Sequence, residues 1–344
     1  MVKPIIAGFG EATPGVLDQE TLWDGYFEGH TSGDDRAKKI FLNAGVDTRH
    51  GVIDPLTEDI SQWTTAQRMA RYETESVPLG ERALRDALRD ANVDAAELGL
   101  LTTVSCTGYV TPGLDITLAA RLGAAADMRR VVVGHMGCYA AIPALSTVAD
   151  YVRQSGRPAA LLCVELTSLH LQPAPLNTEQ TVAHALFSDA AAAVVLVPGG
   201  EGLEVVDIAS RTDTAHSAAM TWRVTDQGFR MGLSSRVPLV LARHLPDTVT
   251  TLLRRHDATI DDIDAWAIHP GGRRILDVAA DVLRLDETRL RESREVLRQH
   301  GNCSSATVLM ILNRLRRTRP AEAVACAFGP GLTLYAALLR RSRP

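Results

Sequence analysis

Apolar residues along this chain fall into two kinds of run. Five are short and nearly unbroken: "PIIAGFG" (4–10), "LLTTVSC" (100–106), "VVVGH" (131–135), "AALLCVEL" (159–166) and "AAAVVLVP" (191–198). Their length and continuity predict strands buried on both faces. Between them, residues 75–92, 114–123 and 139–154 repeat apolar positions at helical spacing. The turn-rich "VPGGEGLEVVDI" marks a halfway point near residue 200. Beyond it the style repeats, with "LEVVDIAS" as strand, a helix over 237–255, "DAWAIH" as strand, helices over 272–283 and 302–317, and the strands "EAVACAF" and "LTLYAALL". Strands alternating with helices predict a layered α/β architecture with buried sheets. Two similar halves are expected, residues 1–200 and 201–344, although no residue-level repeat links them. Residues 11–99 are more polar and hold few clear strands; they are expected to cover or frame a site.

Composition narrows the class. At 344 residues, 46% hydrophobic and 22% charged, the chain has the make-up of an ordinary globular protein with a sizeable core. A formal net charge of −5 argues against nucleic acid as a partner. Five cysteines (Cys106, Cys138, Cys163, Cys303, Cys326) are widely spaced with no C-x-x-C pair. They make neither a disulfide framework nor a zinc pattern, and they suit a reducing, cytoplasmic location. The opening "MVKPIIAGFG" is too short an apolar run for a signal peptide, and no 18-residue apolar span predicts a membrane crossing.

Three stretches put a reactive side chain beside glycines at the end of an apolar run: "GHMGCYAA" around Cys138, "AWAIHPGGRRILD" around His269, and "HGNCSSATVLMIL" around Asn302. A fourth, "CAFGPGLTLYAALL", is a Gly-Pro-Gly turn between two strands. Cys138 is expected at the start of a helix, whose positive end would lower the thiol pKa. An imidazole such as His269 can hold a cysteine as thiolate and polarise a carbonyl. Asn302, placed here at a helix N-cap, offers an amide that can donate to an oxyanion without titrating. Gly329 and Gly331 would let backbone come close to a bound thioester. Each has a plain alternative: a buried thiol, a turn histidine, a helix cap. Cysteine-nucleophile acyl transfer is the chemistry these residues support together.

In that order, "GC-x-A", "HPGG-x-x-ILD", "GN-x-SSA-x-VL-x-IL" and "FGPGLT" resemble the motifs of type III polyketide synthases, the chalcone and stilbene synthase family with its bacterial relatives. "VSCTGYVTPGLD" (104–115) and "ALFSDAAAAVV" (185–195) extend the similarity over nearly the whole chain. The resemblance implies a thiolase-like fold, two similar halves in a five-layered αβαβα arrangement, and a homodimer. It implies iterative decarboxylative condensation of malonyl-CoA onto an acyl-CoA starter carried on Cys138. His269 and Asn302 would bind the malonyl thioester carbonyl, with no metal or redox cofactor. Phe187 resembles the gate between tunnel and cavity, and Ser235 falls where a second gate phenylalanine is usual. Thr111 matches a residue that reaches across the dimer, while Thr167 and His170 fall at cavity-wall positions. Lys38, Lys39 and Arg49 lie in the region that approaches the CoA phosphates, and Arg273 and Arg274 are given no substrate role.

"MTWRVTDQGFRMGLSSRVPLVLARHL" (220–245) looks most like the alkylpyrone and alkylresorcinol synthases. That implies closure to a pyrone or resorcinol-type product, with a malonyl-only, tetrahydroxynaphthalene-type synthase as the other product class. The remaining readings are a single-condensation enzyme or acyltransferase of the same fold, a scaffold subunit, and an acyl donor carried on a carrier protein instead of CoA.

Overall fold

The computed structural model describes residues 2–31 and 34–342. In chain order, β1 (Pro4–Ala12) and β2 (Gly15–Asp18) are followed by α1 (Gln19–Leu22), α2 (Glu28–His30), α3 (Asp35–Leu42) and β3 (Thr48–Gly51). Then come α4 (Thr65–Ala91), β4 (Leu100–Ser105), α5 (Leu114–Leu122), β5 (Arg129–Gly134), α6 (Ala141–Ser155), β6 (Ala159–Glu165), α7 (Thr178–Leu186) and β7 (Ala190–Pro198). The remainder is β8 (Gly202–Thr212), β9 (Met220–Thr225), β10 (Gly228–Leu233), α8 (Val237–Arg254), β11 (Ala265–Ile268), α9 (Arg273–Leu283), α10 (Arg291–His300), α11 (Ala306–Leu315), β12 (Glu322–Gly329) and β13 (Thr333–Ser342).

Nine strands hydrogen-bond in the order β5-β4-β6-β7-β1-β8-β13-β12-β11. The order is symmetric about its middle. β1 and β8 meet through just two residue pairs, Ile5 with Glu204 and Ile6 with Leu203. Outward from each lies an antiparallel neighbour (β7, β13), then β6 and β12, which are parallel to β4 and β11 respectively. Side-chain alternation sorts the strands' residues into layers. On β6, Ala159, Leu161 and Cys163 face the central cluster holding α6 and α11, and Ala160, Leu162 and Val164 face α4. On β12, Ala323, Ala325 and Ala327 face the same central cluster, while Val324, Cys326 and Phe328 face α8 and α9. The result is five layers: α4, half-sheet, α6 with α11, half-sheet, α8 with α9. Burial on both faces is why these strands read as continuous apolar runs.

Two glycines of the first run set the outer layer's spacing. A Cβ at Gly8 would fall 2.2 Å from the Ala87 carbonyl oxygen, and one at Gly10 would fall 2.0 Å from that of Ala83. α4 therefore lies directly on β1, at a distance a side chain would forbid. This helix starts ten residues earlier than its apolar period suggested. Thr64 and Gln67 form a capping box, and the first turns bury polar groups, Arg68 and Tyr72, that hide the period. The β9–β10 hairpin, turning at Gly228 with φ +91°, was not read from the sequence as strands. Among the described residues no helix is long and apolar enough to cross a membrane.

Candidate active site

Cys138 sits in a turn between β5 and α6, and it is 6% exposed. The turn depends on Gly137, whose φ is +95° and whose added Cβ would lie 2.4 Å from Pro330 Cδ. Gly329 closes in from the same side: a Cβ there would lie 2.9 Å from Tyr139 Cδ1 and 3.3 Å from the Cys138 nitrogen. Gly331, at φ +120°, completes the turn between β12 and β13. The Gly-Pro-Gly loop of the second half is thus pressed onto the cysteine turn of the first. Cys106 lies alongside, with its sulfur accepting the Gly137 N–H at 3.0 Å.

Asn302 is 2% exposed and lies on a single β-bridge to Phe187, not at a helix cap. Its N–H donates to the Leu186 carbonyl at 2.8 Å, and its own carbonyl accepts from the Ser188 N–H at 3.0 Å. α11 begins four residues later, because Ser304 takes a left-handed φ of +49° that breaks the helical path. The Asn302 side-chain oxygen accepts the Ser304 N–H at 2.9 Å. The side chains of both Ser304 and Asn302 reach the Cys138 thiol. Beneath them lies Glu165, the charged end of an otherwise apolar strand and fully buried. Its carboxylate accepts from the Cys106 N–H and the Thr107 hydroxyl, each at 2.9 Å, and from the Ser305 hydroxyl. Burial nevertheless raises its pKa above the ordinary value.

His269 directly follows β11, with its N–H on the Cys326 carbonyl at 2.8 Å and its ring edge-on to Phe328. It is fully buried, and neither ring nitrogen has a hydrogen-bond partner among the described residues. Burial lowers its pKa to about 3, so the imidazole is neutral and carries one N–H donor. The expected acid thiol is not found. Burial first, with Glu165 adding to it, pushes Cys138 up to about 12 against the lowering by Ser304 and Asn302. A helix N-terminus is worth up to about 2 kcal/mol, roughly one and a half pKa units, which is less than the climb burial imposes. Each group is thus held in its neutral form by its own burial.

Immediately after His269, Gly271 and Gly272 open onto a cavity of about 640 Å³ lined also by Ser235, Phe328, Arg36, Arg273 and Arg274. Ser235 therefore lies on this wall. The basic groups at it are the three arginines. Lys38 and Lys39 are on the same helix as Arg36 but outside the lining, and Lys38 faces Asp24. Arg49 corrects the sequence reading outright. It is 5% exposed and donates to Gln19 and to the Ala185 and Phe187 carbonyls, an internal strut out of reach of a phosphate. Burial lowers its pKa to about 9. Phe187 and Thr167 line a separate hollow of about 30 Å³ beside Arg49, and Thr167 donates to Asp189 at 3.0 Å. His170 is stacked on Phe229 with centroids 4.3 Å apart, and both its ring nitrogens are bonded to backbone, at Thr107 and Phe229. Thr111 is exposed. Among the described residues no group of three or more His, Cys, Asp or Glu could hold a metal.

The profile of the chalcone and stilbene synthases, N-terminal domain, matches residues 2–200, and that of their C-terminal domain matches residues 209–343. The chain belongs to this family, the type III polyketide synthases. The synthase is 37% identical over 326 residues to the 1,3,6,8-tetrahydroxynaphthalene synthase of Streptomyces peucetius subsp. caesius, covering 90% of this chain and 85% of that one. It is 31% identical over 318 residues to the alpha-pyrone synthesis polyketide synthase-like Pks18 of Mycobacterium tuberculosis, covering 87% and 81%. Among solved structures, PKS-I of the brown alga Ectocarpus siliculosus superposes with a TM-score of 0.93 at 28% identity over 99% of both chains. The type III domain of Steely1 from Dictyostelium gives 0.94 at 25% identity, again over 99% of both. The thiolase-like fold expected from the motifs is the fold of the synthase.

Sequence reasoning did not single out Glu165, Ser304, Thr107 or Arg36, and it gave no substrate role to Arg273 and Arg274, which line the cavity. Glu165 had a signal, a lone acid closing a buried strand. The arginines had none, because their place depends on how α3 and α9 meet across the cavity.

Proposed function

We propose that the synthase carries an acyl starter on Cys138 and extends it with malonyl units bound at His269 and Asn302. The starter thioester exchanges onto the Cys138 sulfur and free CoA leaves with the thiol proton. Malonyl-CoA then loses its carboxylate as carbon dioxide. The enolate that remains is stabilised by the His269 N–H and the Asn302 amide, both neutral donors in a site of low dielectric. Its carbon attacks the acyl carbonyl, the carbon–sulfur bond breaks, and the thiolate is free for the lengthened chain. What carries this reading is the convergence of Asn302 and Ser304 on a buried Cys138, with the wide cavity opening two residues beyond His269. Arg36, Arg273 and Arg274 suit the phosphates of CoA or of a carrier protein's pantetheine arm. No resident cofactor has a task in this chemistry.

In this reading residues 1–200 and 201–344 are the two units, the first bringing the nucleophile and the second the donors. The enzyme works in the cytoplasm as a homodimer. Support for the dimer is the sheet edge at β5, where Val132 is 63% exposed with Val131, Ile116 and Tyr109 also uncovered. Thr111, on the same uncovered side, would reach a partner's cavity. The product we favour is a pyrone or resorcinol closed from an acyl-CoA starter. A malonyl-only naphthalene-type product is the second reading, favoured by the 37% identity to a tetrahydroxynaphthalene synthase. Product masses from malonyl-CoA with starters of rising length separate the two. Masses rising by acetate units on one starter class support the first, and product from malonyl-CoA alone supports the second. Loading without extension would overturn both.

A further inference from the structure

The segment carrying Asn302 is tied to the rest of the molecule by a chain of three side chains outside the chemistry above. His50 on β3 and His300 at the end of α10 stack with centroids 5.1 Å apart, and His50 Nε2 lies 2.9 Å from His300 Nδ1. On its other side, His300 Nε2 lies 3.0 Å from the Arg314 guanidinium, which also donates to Gln299. A guanidinium only donates, so His300 Nε2 accepts. Its proton is then on Nδ1 and is given to His50 Nε2. His50 in turn carries its proton on Nδ1, beside the Pro14 and Gly15 carbonyls but without a well-aligned partner. One arginine thus sets the tautomers of both rings.

The ring chain joins β3, the end of α10 and α11, and the main chain of both histidines is bonded next to Asn302. The His50 N–H donates to the Ser188 hydroxyl at 2.8 Å, and the Ser188 N–H donates to the Asn302 carbonyl at 3.0 Å. On the other side of Asn302 the Cys303 thiol donates to the His300 carbonyl at 3.4 Å. We propose that the Arg314–His300–His50 chain is the device that positions Asn302, and that it holds only while both rings are neutral. A further proton has no place in it: on His300 it would face an Arg314 N–H, and on His50 it would face the His300 N–H.

The groups around the pair oppose its protonation on balance. Arg314 from α11 opposes protonation. Glu295 on α10 favours it but is engaged by Arg298 and Gln299. The Cys303 thiol and the Ser188 hydroxyl are neutral. Glu11 on β1 is turned to Asn313, and the Asp189 carboxyl to Val52, Thr167 and Ser168. Burial, then His50 and Arg314, lowers His300 to about 4.

This inference rests on Asn302 acting in extension, so the test separates loading from extension. Acylation of Cys138 and malonyl-dependent extension would be timed for wild type, His300→Leu and His300→Gln from about pH 8 to 4.5. Glutamine can accept from Arg314 and donate to His50 without titrating. His300→Leu should load at the wild-type rate but extend slower by roughly tenfold to a hundredfold. His300→Gln should recover extension and move the acid fall of extension to lower pH. A leucine variant that extends normally, or loses both steps equally, would overturn the proposal, as would a glutamine variant with the wild-type acid limb. A wild type that loads and never extends would instead overturn the proposed function, and this inference with it.

Discussion

At the scale of single residues, the arrangement around Cys138 stores a thiol and an imidazole as neutral groups. Burial raises the Cys138 pKa to about 12 and lowers that of His269 to about 3, and the proposed chemistry asks His269 to take up the thiol proton. Two consequences are testable. Iodoacetamide should alkylate Cys138 slowly in the free enzyme and slower still in His269→Gln; a fast, His269-independent reaction would show an independent thiolate. Removing one donor, by His269→Ala or Asn302→Ala, should lower kcat for malonyl decarboxylation by about two to three orders of magnitude. Residue identities at this scale were legible because cysteine, histidine and asparagine each sit in a glycine-marked motif. The thiol's electrostatics were not, since they depend on Glu165 and on enclosure, which come from strands distant in sequence.

At the scale of elements, turns decide the geometry. Gly137 is held at positive φ against Pro330, so Gly137→Ala should displace the cysteine turn and abolish loading while the fold survives; circular dichroism beside an acylation assay checks both halves of that statement. α3 and α9 bring Arg36, Arg273 and Arg274 to one cavity. Replacing Arg273 and Arg274 by alanine should raise KM for CoA thioesters with kcat little changed, and the wild-type KM should rise with salt. A fall in kcat at constant KM would place the arginines elsewhere in the reaction. Most strands were readable as apolar runs because both their faces are covered. α11 was placed four residues early, since a single left-handed residue, Ser304, has no mark in an apolar pattern. Arg49 misled for the opposite reason: it looks like a surface cation, and backbone carbonyls and Gln19 hold it inside.

At the scale of the whole molecule, the two half-sheets are joined by two residue pairs at β1 and β8, α6 and α11 pack between them, and the Phe187–Asn302 bridge ties the halves again beside Cys138. Cys138 and Asn302 meet between the two halves, and spacing along the chain could not place them together. Val132→Lys at the uncovered β5 edge should shift the proposed dimer to monomer in sedimentation; an unchanged dimer would move the interface elsewhere. Acid should also weaken the fold. His50, His170, His184, His269 and His300 all have pKa values below 6.5 when folded, His170 and His184 at about 3. Their stabilisation is present above the unfolded value of 6.5 and is lost as pH falls toward the folded values. Glu11, Glu165 and Asp189, raised by burial, act in the opposite sense and are fewer. Thermal melts should therefore show Tm falling as pH drops below 6.5, and a rising Tm would show the buried carboxyls dominating.

The central claim, that the growing chain rides on Cys138, is tested most directly by mass spectrometry of the intact protein after exposure to an acyl-CoA, followed by peptide mapping. One acyl group per chain, on the peptide containing Cys138 and absent from Cys138→Ala, is the result this account predicts. An adduct on Cys106, Cys163, Cys303 or Cys326, or one that persists in Cys138→Ala, would contradict it.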